Sequence, residues 1–208
     1  IEDKIYLISF FVISLILSVL IIRNLDINFL YNTILITAAF YLFFITLRDF
    51  FHRKYRNLSQ ITAHFSFSIL ILSILFNNIF SSEVITNLKI NETYQAQNLK
   101  INFESIEQEN KQNFKAIKGK FIVEDQSGLI EVMQPELRIY NQPNIVTSEA
   151  DIKTNIFTDK FMTMNYVQNQ DYFNIRYQVK PFMIWIWIST ILLCFSGCLS
   201  LIRKKYEN

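Results

Sequence analysis

The stretch IYLISFFVISLILSVLII, residues 5–22, decides the class of this protein, because it is uncharged and apolar almost throughout. A helix needs about 20 such residues to cross the roughly 30 Å hydrocarbon core of a bilayer. A secretory signal peptide would have a shorter apolar core, followed by a small-residue cleavage site. The stretch therefore predicts a membrane-spanning helix.

Three further stretches pass the same length test, at about Phe29–Leu47, Ile61–Phe80 and Pro181–Ile202. They explain why hydrophobic residues, 51% of the 208-residue chain, crowd its two ends and leave the middle polar. Four such segments favour an integral membrane protein over a soluble protein with buried helices. The net charge of +2 gives no reason to expect nucleic acid as a partner.

Positive charges in short loops predict how the helices are oriented, because Lys and Arg collect on the cytoplasmic or matrix side. The loop at residues 48–60 and the C-terminal tail are both basic, through Arg48, Arg53, Lys54, Arg56, Arg203, Lys204 and Lys205. Both should therefore lie on the inner side. The predicted organisation is three helices at about 5–22, 29–47 and 61–80 within residues 1–80, an outer domain over 81–180, and a fourth helix with an inner tail over 181–208.

The segment 81–180 alternates apolar and polar residues in the manner of β-strands. The alternation is clearest in KINFESI (100–106), FKAIKGKFIVED (114–125) and YFNIRYQV (172–179), and the sequence Gln-Ser-Gly at 126–128 supplies a turn. We predict an all-β sandwich or barrel-like domain inserted between the third and fourth helices. Its predicted core is Phe103, Ile117, Phe121, Val123, Leu129, Val132, Ile139, Phe173, Ile175 and Tyr177.

This β-domain contains neither Cys nor His, so it has no ready metal site and no His-based nucleophile relay. A docking role is favoured over catalysis of its own. Its stretch QPELRIY (134–140) places Glu136 and Arg138 two residues apart, on the same face of a strand. Pro135 confines the stretch to a sheet edge or a bulge. A solvated strand face and a partner surface both fit this spacing.

The chain has two histidines, His52 and His64. His52 lies in the basic inner loop, where a solvated polar residue is ordinary. His64 lies near the inner end of an apolar span, where an ionisable group is costly and marks a candidate functional site. Imidazole is also a common axial ligand of haem iron. The residues alone leave two interpretations of His64 open, a ligand and a structural histidine at the membrane interface.

The fourth span carries two further candidates. Cys194 and Cys198 are four residues apart, hence on one helix face. A redox or metal pair is conceivable, but small polarizable residues that help helices to pack are the commoner case. Trp185 and Trp187 open the same span, where an aromatic belt is expected at a membrane interface.

Taken in order, these features resemble a known family. A basic inner loop precedes a span that opens with Ala-His. The segment that follows contains Pro-Glu-x-Arg-x-Tyr (135–140), then Thr-x-Glu-Ala (147–150), then Asp-Tyr-Phe (171–173). Lys-Pro-Phe-Met-Ile-Trp-Ile-Trp (180–187) is the most specific piece. The arrangement resembles the C-terminal third of CcmF, the haem-lyase subunit of the multi-component cytochrome c maturation system, and the similar nitrite-reductase maturation lyases.

The resemblance implies a role in joining haem, the substrate, to apocytochrome c. Members of the family take haem from the chaperone CcmE on the outer face and work with a CcmH-type protein that presents the apocytochrome. They also hold a haem b in the membrane between two histidines, and His64 falls at the position of one of them. The implied location is a bacterial or mitochondrial inner membrane, with residues 81–180 in the periplasm or intermembrane space.

The family's second haem b ligand and its tryptophan-rich haem-binding motif belong to an N-terminal portion that this sequence lacks. We therefore expect a fragment or a split gene product that is inactive as a lyase alone and pairs with an N-terminal CcmF portion or subunit. Candidate interface residues are Pro135, Glu136, Arg138, Tyr140, Glu149, Trp185 and Trp187. The alternative is a cofactor-free membrane-anchored adaptor that binds assembly partners through its β-domain.

Overall fold

The computed structural model describes residues 2–23, 25, 28–51, 58–96, 99–125 and 128–207. The chain forms two compact units, one made of residues 1–80 and 182–208 and the other of residues 81–181. The first unit is helical and the second is built from strands. The predicted fold class, four membrane helices with an inserted β-domain, is confirmed.

The helical unit consists of α1 (Glu2–Ile22), α2 (Phe29–Phe51), α3 (Leu58–Phe80) and α4 (Met183–Glu207). Each contains a segment long and apolar enough to cross a membrane, and the α1 segment has the highest mean hydropathy, 2.9. The helices pack in chain order, α1 on α2, α2 on α3 and α3 on α4. α3 therefore has two helical neighbours. Residues of α3 that contact them show on which side of the helix each neighbour lies.

Small hydroxyl residues fill the interfaces between these helices. The buried Ser and Thr side chains are Ser14, Ser18, Thr33, Thr37, Thr46, Ser66, Ser68, Ser73, Ser189 and Ser196. Most donate to a carbonyl one turn earlier in their own helix, as Ser18 Oγ does to Ser14 O at 2.7 Å. Small side chains let helix backbones approach closely where lipid supplies no hydrophobic driving force.

The β-unit is a sandwich of two antiparallel sheets. One sheet has the order β1-β10-β9-β8, and the other has the order β2-β3-β4-β6-β7 with β5 also paired to β4. The strands are β1 (Ser82–Leu88), β2 (Thr93–Ala96), β3 (Leu99–Asn110), β4 (Phe114–Asp125), β5 (Ile130–Met133), β6 (Glu136–Tyr140), β7 (Ile145–Glu149), β8 (Asp151–Thr154), β9 (Thr158–Tyr166) and β10 (Phe173–Pro181). The first strand thus shares a sheet with the last three.

Large apolar side chains from both sheets meet in the interior of the sandwich. Phe103 of β3 and Phe121 of β4 stack with ring centroids 4.3 Å apart, and both are fully buried. The opposite sheet contributes Met162, Met164 and Ile175, which are equally buried. This arrangement confirms the predicted core positions Phe103, Phe121, Val123, Ile175 and Tyr177.

Three predicted core positions are wrong, and they lie on or next to β5 and β6. Leu129 is 50% exposed, Val132 is 42% exposed, and Ile139 is only partly buried. Met133 and Leu137 face the core instead. Register explains Val132, because the inward positions here are odd-numbered and continue through buried Pro135, so the even-numbered Val132 points to the opposite face. Leu129 precedes β5, and Ile139 lies near the end of β6.

An ion-pair cluster joins the two sheets at one end of the sandwich. Lys160 of β9 lies 2.7 Å from Glu131 of β5 and 3.7 Å from Asp125 of β4, and its side chain is only 12% exposed. Buried Tyr177 of β10 adjoins this cluster. Burial, followed by the Glu131 and Asp125 carboxylates, raises the pKa of Tyr177 to about 12.

Phe182 links the last strand to α4. It has a positive φ of 59°, and its carbonyl accepts hydrogen bonds from the backbone N–H groups of Trp185 and Ile186 at 3.1 and 3.3 Å. Its ring packs against Phe76 of α3 with centroids 5.4 Å apart. The residue that precedes α4 is therefore packed against α3.

Candidate functional site

His64 is the seventh residue of α3, roughly 9 Å along the axis from the start of the helix. Its side chain is exposed. Among the residues that the structure describes, none makes a hydrogen bond to the imidazole. The ring nitrogens are therefore open to a ligand or partner on this side of the helix.

Two sides of α3 are covered by neighbouring helices. On one side Ser68 contacts α2, where its Oγ lies 3.2 Å from Thr46 Oγ1. On the other side Ser59 donates to the carbonyl of Ser196 in α4 at 2.8 Å. At 100° per residue, Ser59 and Ser68 point to opposite sides of α3. One arc between them carries exposed side chains of α3 at His64, Phe67, Ile74 and Asn78, with His64 at the edge nearer Ser68. We call this arc the third side.

Aromatic stacking fixes α3 beside His64. The ring of Phe65 stacks on Phe43 and on Phe50, both in α2, with centroids 5.8 and 5.6 Å apart. Adjacent residues on a helix point about 100° apart. The contact that holds Phe65 against α2 therefore directs His64 away from that neighbour and toward the third side.

The described part of the chain brings no three His, Cys, Asp or Glu side chains together as metal ligands. His52 lies outside the described residues. Cys194 and Cys198 are free thiols, exposed on α4. A metal centre at His64 would thus need ligands from elsewhere, since a lone imidazole supplies one coordination position.

A ladder of alternating charges crosses the six-stranded sheet. Arg138 Nε lies 3.1 Å from Glu136 Oε2, and its Nη1 lies 3.9 Å from Glu149 Oε1. On the next strand, Lys118 Nζ lies 3.4 Å from Glu136 and 3.0 Å from Glu109. Hydrogen bonds to Glu109 and Glu136 raise the pKa of Lys118. Glu136 and Arg138 share a face as predicted, and each is paired within the sheet.

The other interface candidates are placed as follows. Pro135 is buried between β5 and β6, and its carbonyl accepts from Gly119 N at 3.0 Å. Of the two predicted alternatives, a sheet edge or a bulge, the edge does not hold, because β6 pairs on both sides. Tyr140 packs against Phe114 with centroids 5.3 Å apart. Trp187 is 62% exposed, whereas Trp185 is half-buried.

The sequence reading missed a second polar residue on the third side of α3. Asn78 is exposed near the other end of this helix. It lies 14 residues after His64, which is nearly four helical turns and puts it on the same face. The spacing was readable from the sequence.

Comparison with known proteins identifies the source of this architecture. The family model described as "CcmF C-terminal beta-sandwich" matches residues 79–181. The cytochrome c-type biogenesis protein ccl1 of Rhodobacter capsulatus is 30% identical over 120 residues, which are 58% of this chain and 18% of that protein. CcmF of Pseudomonas fluorescens is 26% identical over 145 residues, 70% of this chain and 22% of the relative.

The fold also matches a solved structure. The structure titled "Cytochrome c Heme Lyase CcmF" aligns with a TM-score of 0.69 at 14% identity, over 94% of this chain and 34% of that one. At this identity the match shows the fold alone, and it includes the helices as well as the sandwich. The chain spans about a fifth of the length of the curated relatives above. The sandwich, the flanking helices and these relatives together show that the chain belongs to the CcmF family of cytochrome c biogenesis proteins, as a C-terminal portion.

Proposed function

We propose that this chain is the C-terminal part of a cytochrome c maturation haem lyase, in which His64 supplies one axial ligand of a membrane haem b. The observation that carries the proposal is an exposed imidazole on the third side of a membrane-span helix in a CcmF-family chain. An exposed ionisable group in a span is costly unless it has a partner. Iron held by imidazole is such a partner.

The residues around His64 suit a macrocycle with an apolar rim. The imidazole has apolar neighbours along α3, with Phe67 one turn further on and 48% exposed. A six-coordinate haem needs a second axial ligand, and the proposed source is an N-terminal CcmF portion or subunit. Bound haem b would supply electron transfer that keeps the iron of the substrate haem reduced. The role of this chain is to bind the haem and orient it through His64.

The proposed partners follow from the family. They are the N-terminal CcmF portion, a CcmH-type protein that presents the apocytochrome, the haem chaperone CcmE, and apocytochrome c. The proposed location is a bacterial or mitochondrial inner membrane. The basic loop at residues 48–60 supports an orientation that places residues 81–180 on the periplasmic or intermembrane-space side.

An optical spectrum of the complete assembly tests the haem proposal. We expect a six-coordinate b-type spectrum when the chain is purified together with the remaining lyase portion. His64→Ala should abolish or convert it, while His52→Ala, the matched histidine control, should leave it unchanged. A complete assembly without haem b, or one whose spectrum His64→Ala does not alter, would favour the cofactor-free adaptor.

Thiol labelling tests the orientation. The variant carries Cys194→Ser, Cys198→Ser and Gln112→Cys, the last in the exposed turn between β3 and β4. A membrane-impermeant maleimide should react from the outer face of sealed vesicles. A matched cysteine at Arg203, in the basic tail, should react only after the vesicles are opened. The reverse pattern contradicts the proposed orientation.

A further inference from the structure

We propose that two apolar turns at one end of the sandwich, the end at which the chain joins α3 and α4, insert into the surface of the lipid bilayer. One turn carries Leu129 and Ile130, where β5 begins, and the other carries Ile156 and Phe157, between β8 and β9. We call these four residues the apolar tips. The proposal rests on α3 and α4 as membrane spans and does not depend on a haem at His64.

Strand register places the tip between β8 and β9. Thr158 pairs with Pro181, the last residue of β10. Because β9 and β10 are antiparallel, the residues that precede Thr158 extend past the end of the sheet at which β10 ends. These residues are Ile156 and Phe157, each 62% exposed. The tip therefore projects from the end of the sandwich at which the chain continues into α4.

The tip at the start of β5 lies at the same end. Lys160, near the start of β9, lies 2.7 Å from Glu131 and 3.7 Å from Asp125. These two carboxylates flank Leu129 and Ile130 in the chain, so their ion pairs hold this turn beside the start of β9. Leu129 is 50% exposed and Ile130 is 63% exposed. One end of the sandwich thus presents apolar side chains from both sheets.

The covalent chain keeps this end of the sandwich close to the bilayer surface. The apolar segment of α3 ends at Phe80, two residues before Ser82, and that of α4 begins at Met183, two residues after Pro181. Two residues reach at most about 7 Å. Ser82 pairs with Val179, so both connections leave from the same end. An exposed apolar side chain at this end can therefore exchange water for lipid.

The opposite end of the sandwich provides an internal reference. β1 runs from Ser82 to Leu88, which separates the two ends by roughly 20 Å. Turns at the far end contain mainly Lys, Asp, Asn and Gln, at residues 111–113, 141–144 and 168–171. The turn after β1 exposes one apolar residue, Ile90, to 48%. Ile90 therefore separates the effect of exposure from the effect of position.

Hydrogen bonds hold both tips in fixed turns. Asn155 Oδ1 accepts from the backbone N–H groups of Phe157 and Thr158 at 2.8 and 2.7 Å. Asp125 Oδ1 accepts from the backbone N–H of Leu129 at 3.1 Å. A backbone N–H that has a partner within the turn can approach hydrocarbon at a lower cost than a free one. A turn that is already ordered also loses little conformational entropy when its side chains enter lipid.

The size and position of the tips favour lipid as the occupant. Each tip offers two large apolar side chains, whereas a specific protein interface buries about 800 Å² on each partner. Binding at a membrane surface grows with the apolar area buried and needs no matching pocket. Lys153 is the one ionisable residue within residues 152–158, and its side chain is 49% exposed. Its ammonium group can meet the phosphates of lipid headgroups while the tip lies deeper.

The consequence of this contact is a fixed orientation of the sandwich. Two chain connections alone would leave the unit free to tilt about the line between them. The apolar tips add contacts away from that line, since β9 and β8 lie beyond β10 in the sheet order β1-β10-β9-β8. The sandwich then presents one constant surface to any partner that approaches along the membrane.

Quenching by lipid-borne nitroxides tests the tips. Ile130→Cys and Phe157→Cys are introduced singly into the full chain carrying Cys194→Ser and Cys198→Ser, and each is labelled with the same environment-sensitive fluorophore. The chain is reconstituted into vesicles of phosphatidylcholine and phosphatidylglycerol in which part of the lipid carries a nitroxide near the headgroup. Both labels should be quenched several-fold more strongly than a label on the matched control Ile90→Cys, and their emission should lie further to the blue.

A second variant makes the test independent of a label in the tips. The four tip residues are replaced together by serine, which their exposure allows without loss of the sandwich core. A fluorophore on Gln112→Cys, in a turn at the far end, then reports the rotation of the sandwich. Its anisotropy in vesicles should fall in the serine variant and stay unchanged in Ile90→Ser.

Three results would overturn the proposal. The first is quenching of the tip labels no stronger than that at Ile90. The second is an unchanged anisotropy in the serine variant. The third is tip labels that lipid nitroxides no longer quench once the remaining lyase portion is present, since that assigns the tips to a protein partner. Each measurement is also made with His64→Ala, which removes quenching by a haem at that position and lets the haem proposal and the lipid contact fail separately.

Discussion

The two units of this protein differ in how many hydroxyl residues they bury. The sandwich buries large apolar side chains such as Phe103, Phe121 and Met164, and Asp159 is its one buried charged or hydroxyl-bearing residue other than Tyr177 in the described segments. Among its described residues, the helical unit buries ten Ser and Thr residues beside four apolar ones, and it turns residues such as Ile8 outward. The contrast teaches that the two units fold against different solvents. Water drives the sandwich together, whereas the helices rely on close backbone approach and hydrogen bonds.

Truncating a core side chain of the sandwich should produce the largest loss of stability, and it tests the difference between the two units most directly. Phe121 is fully buried and stacked on Phe103, so we expect Phe121→Ala to destabilise the sandwich by about 3–5 kcal/mol. The infrared β-sheet band of the full chain in detergent reports its thermal transition, and the helix band reports the other unit. Val132→Ala, an outward position on β5 that is 42% exposed, is the control.

The expected shift is large enough to read without fitting, since 1 kcal/mol corresponds to roughly 4–8 °C for a unit of this size. The helix band should melt at an unchanged temperature. Equal losses for the core variant and the outward control would show that the sandwich is not held by its apolar interior.

The second-largest effect should come from alkaline pH, which distinguishes the stability of the sandwich from that of the helical unit. The pKa of Tyr177 is raised to about 12, against about 10 in an unfolded chain. Because the folded state holds this proton more tightly, the stabilisation is complete below pH 10 and is lost as the pH rises through 12. The loss is up to roughly 3 kcal/mol.

Tyr177→Phe gives the matched comparison for this prediction, because it removes the titrating hydroxyl and keeps the ring. The β-sheet melting temperature of the unmodified chain should fall more steeply between pH 10 and 12 than that of the variant. Parallel curves would mean that Tyr177 does not couple folding to pH.

A glycine tests how tightly the sandwich is packed. A Cβ atom at Gly119 would lie 2.6 Å from Phe121 Cε2 and 2.8 Å from Met164 Sδ. We expect Gly119→Ala to cost about 1–3 kcal/mol through overpacking. Gly197→Ala on α4 is the control, because nothing lies within 4 Å of its Cβ position. A neutral Gly119→Ala would show that these rings can move aside.

The smallest expected effect belongs to the helical interior. Ser68 Oγ contacts Thr46 Oγ1 at 3.2 Å between α3 and α2, and interhelical hydrogen bonds in membranes average about 0.6 kcal/mol. Ser68→Ala should therefore shift the helix-band transition only slightly, and Ser9→Ala, whose hydroxyl bonds within its own helix, should shift it less. A loss as large as that of Phe121→Ala would erase the contrast between the units.

Sequence patterns predicted the helices and the sandwich class well, because hydropathy over a long span and alternation over a strand are local properties. The prediction failed at Val132, where the side that faces the core depends on the pairing of β5 with β4. It failed also at Leu129, which lies just before that strand begins. Sequence patterns also could not predict that β1 lies beside β10, or that an ion-pair cluster forms around Lys160. Both join residues far apart in the chain, and local periodicity carries no information about such contacts.

At the candidate site, too, some features could be predicted from the local sequence and others depend on the tertiary structure. His64 was identified because an ionisable residue in an apolar span stands out from its local sequence. Its place on the open side of α3 depends on where α2 and α4 pack, which sequence periodicity does not give. The pairing of Arg138 with Glu149 of the neighbouring strand needed the sheet order as well.

The pairing of β1 with β10 puts Ser82 opposite Val179, so the polypeptide enters and leaves the sandwich at one spot. A domain whose two ends coincide can be inserted into a loop of a host without stretching either flank. The sandwich can therefore be lengthened or replaced between α3 and α4 without a change in the packing of these two helices.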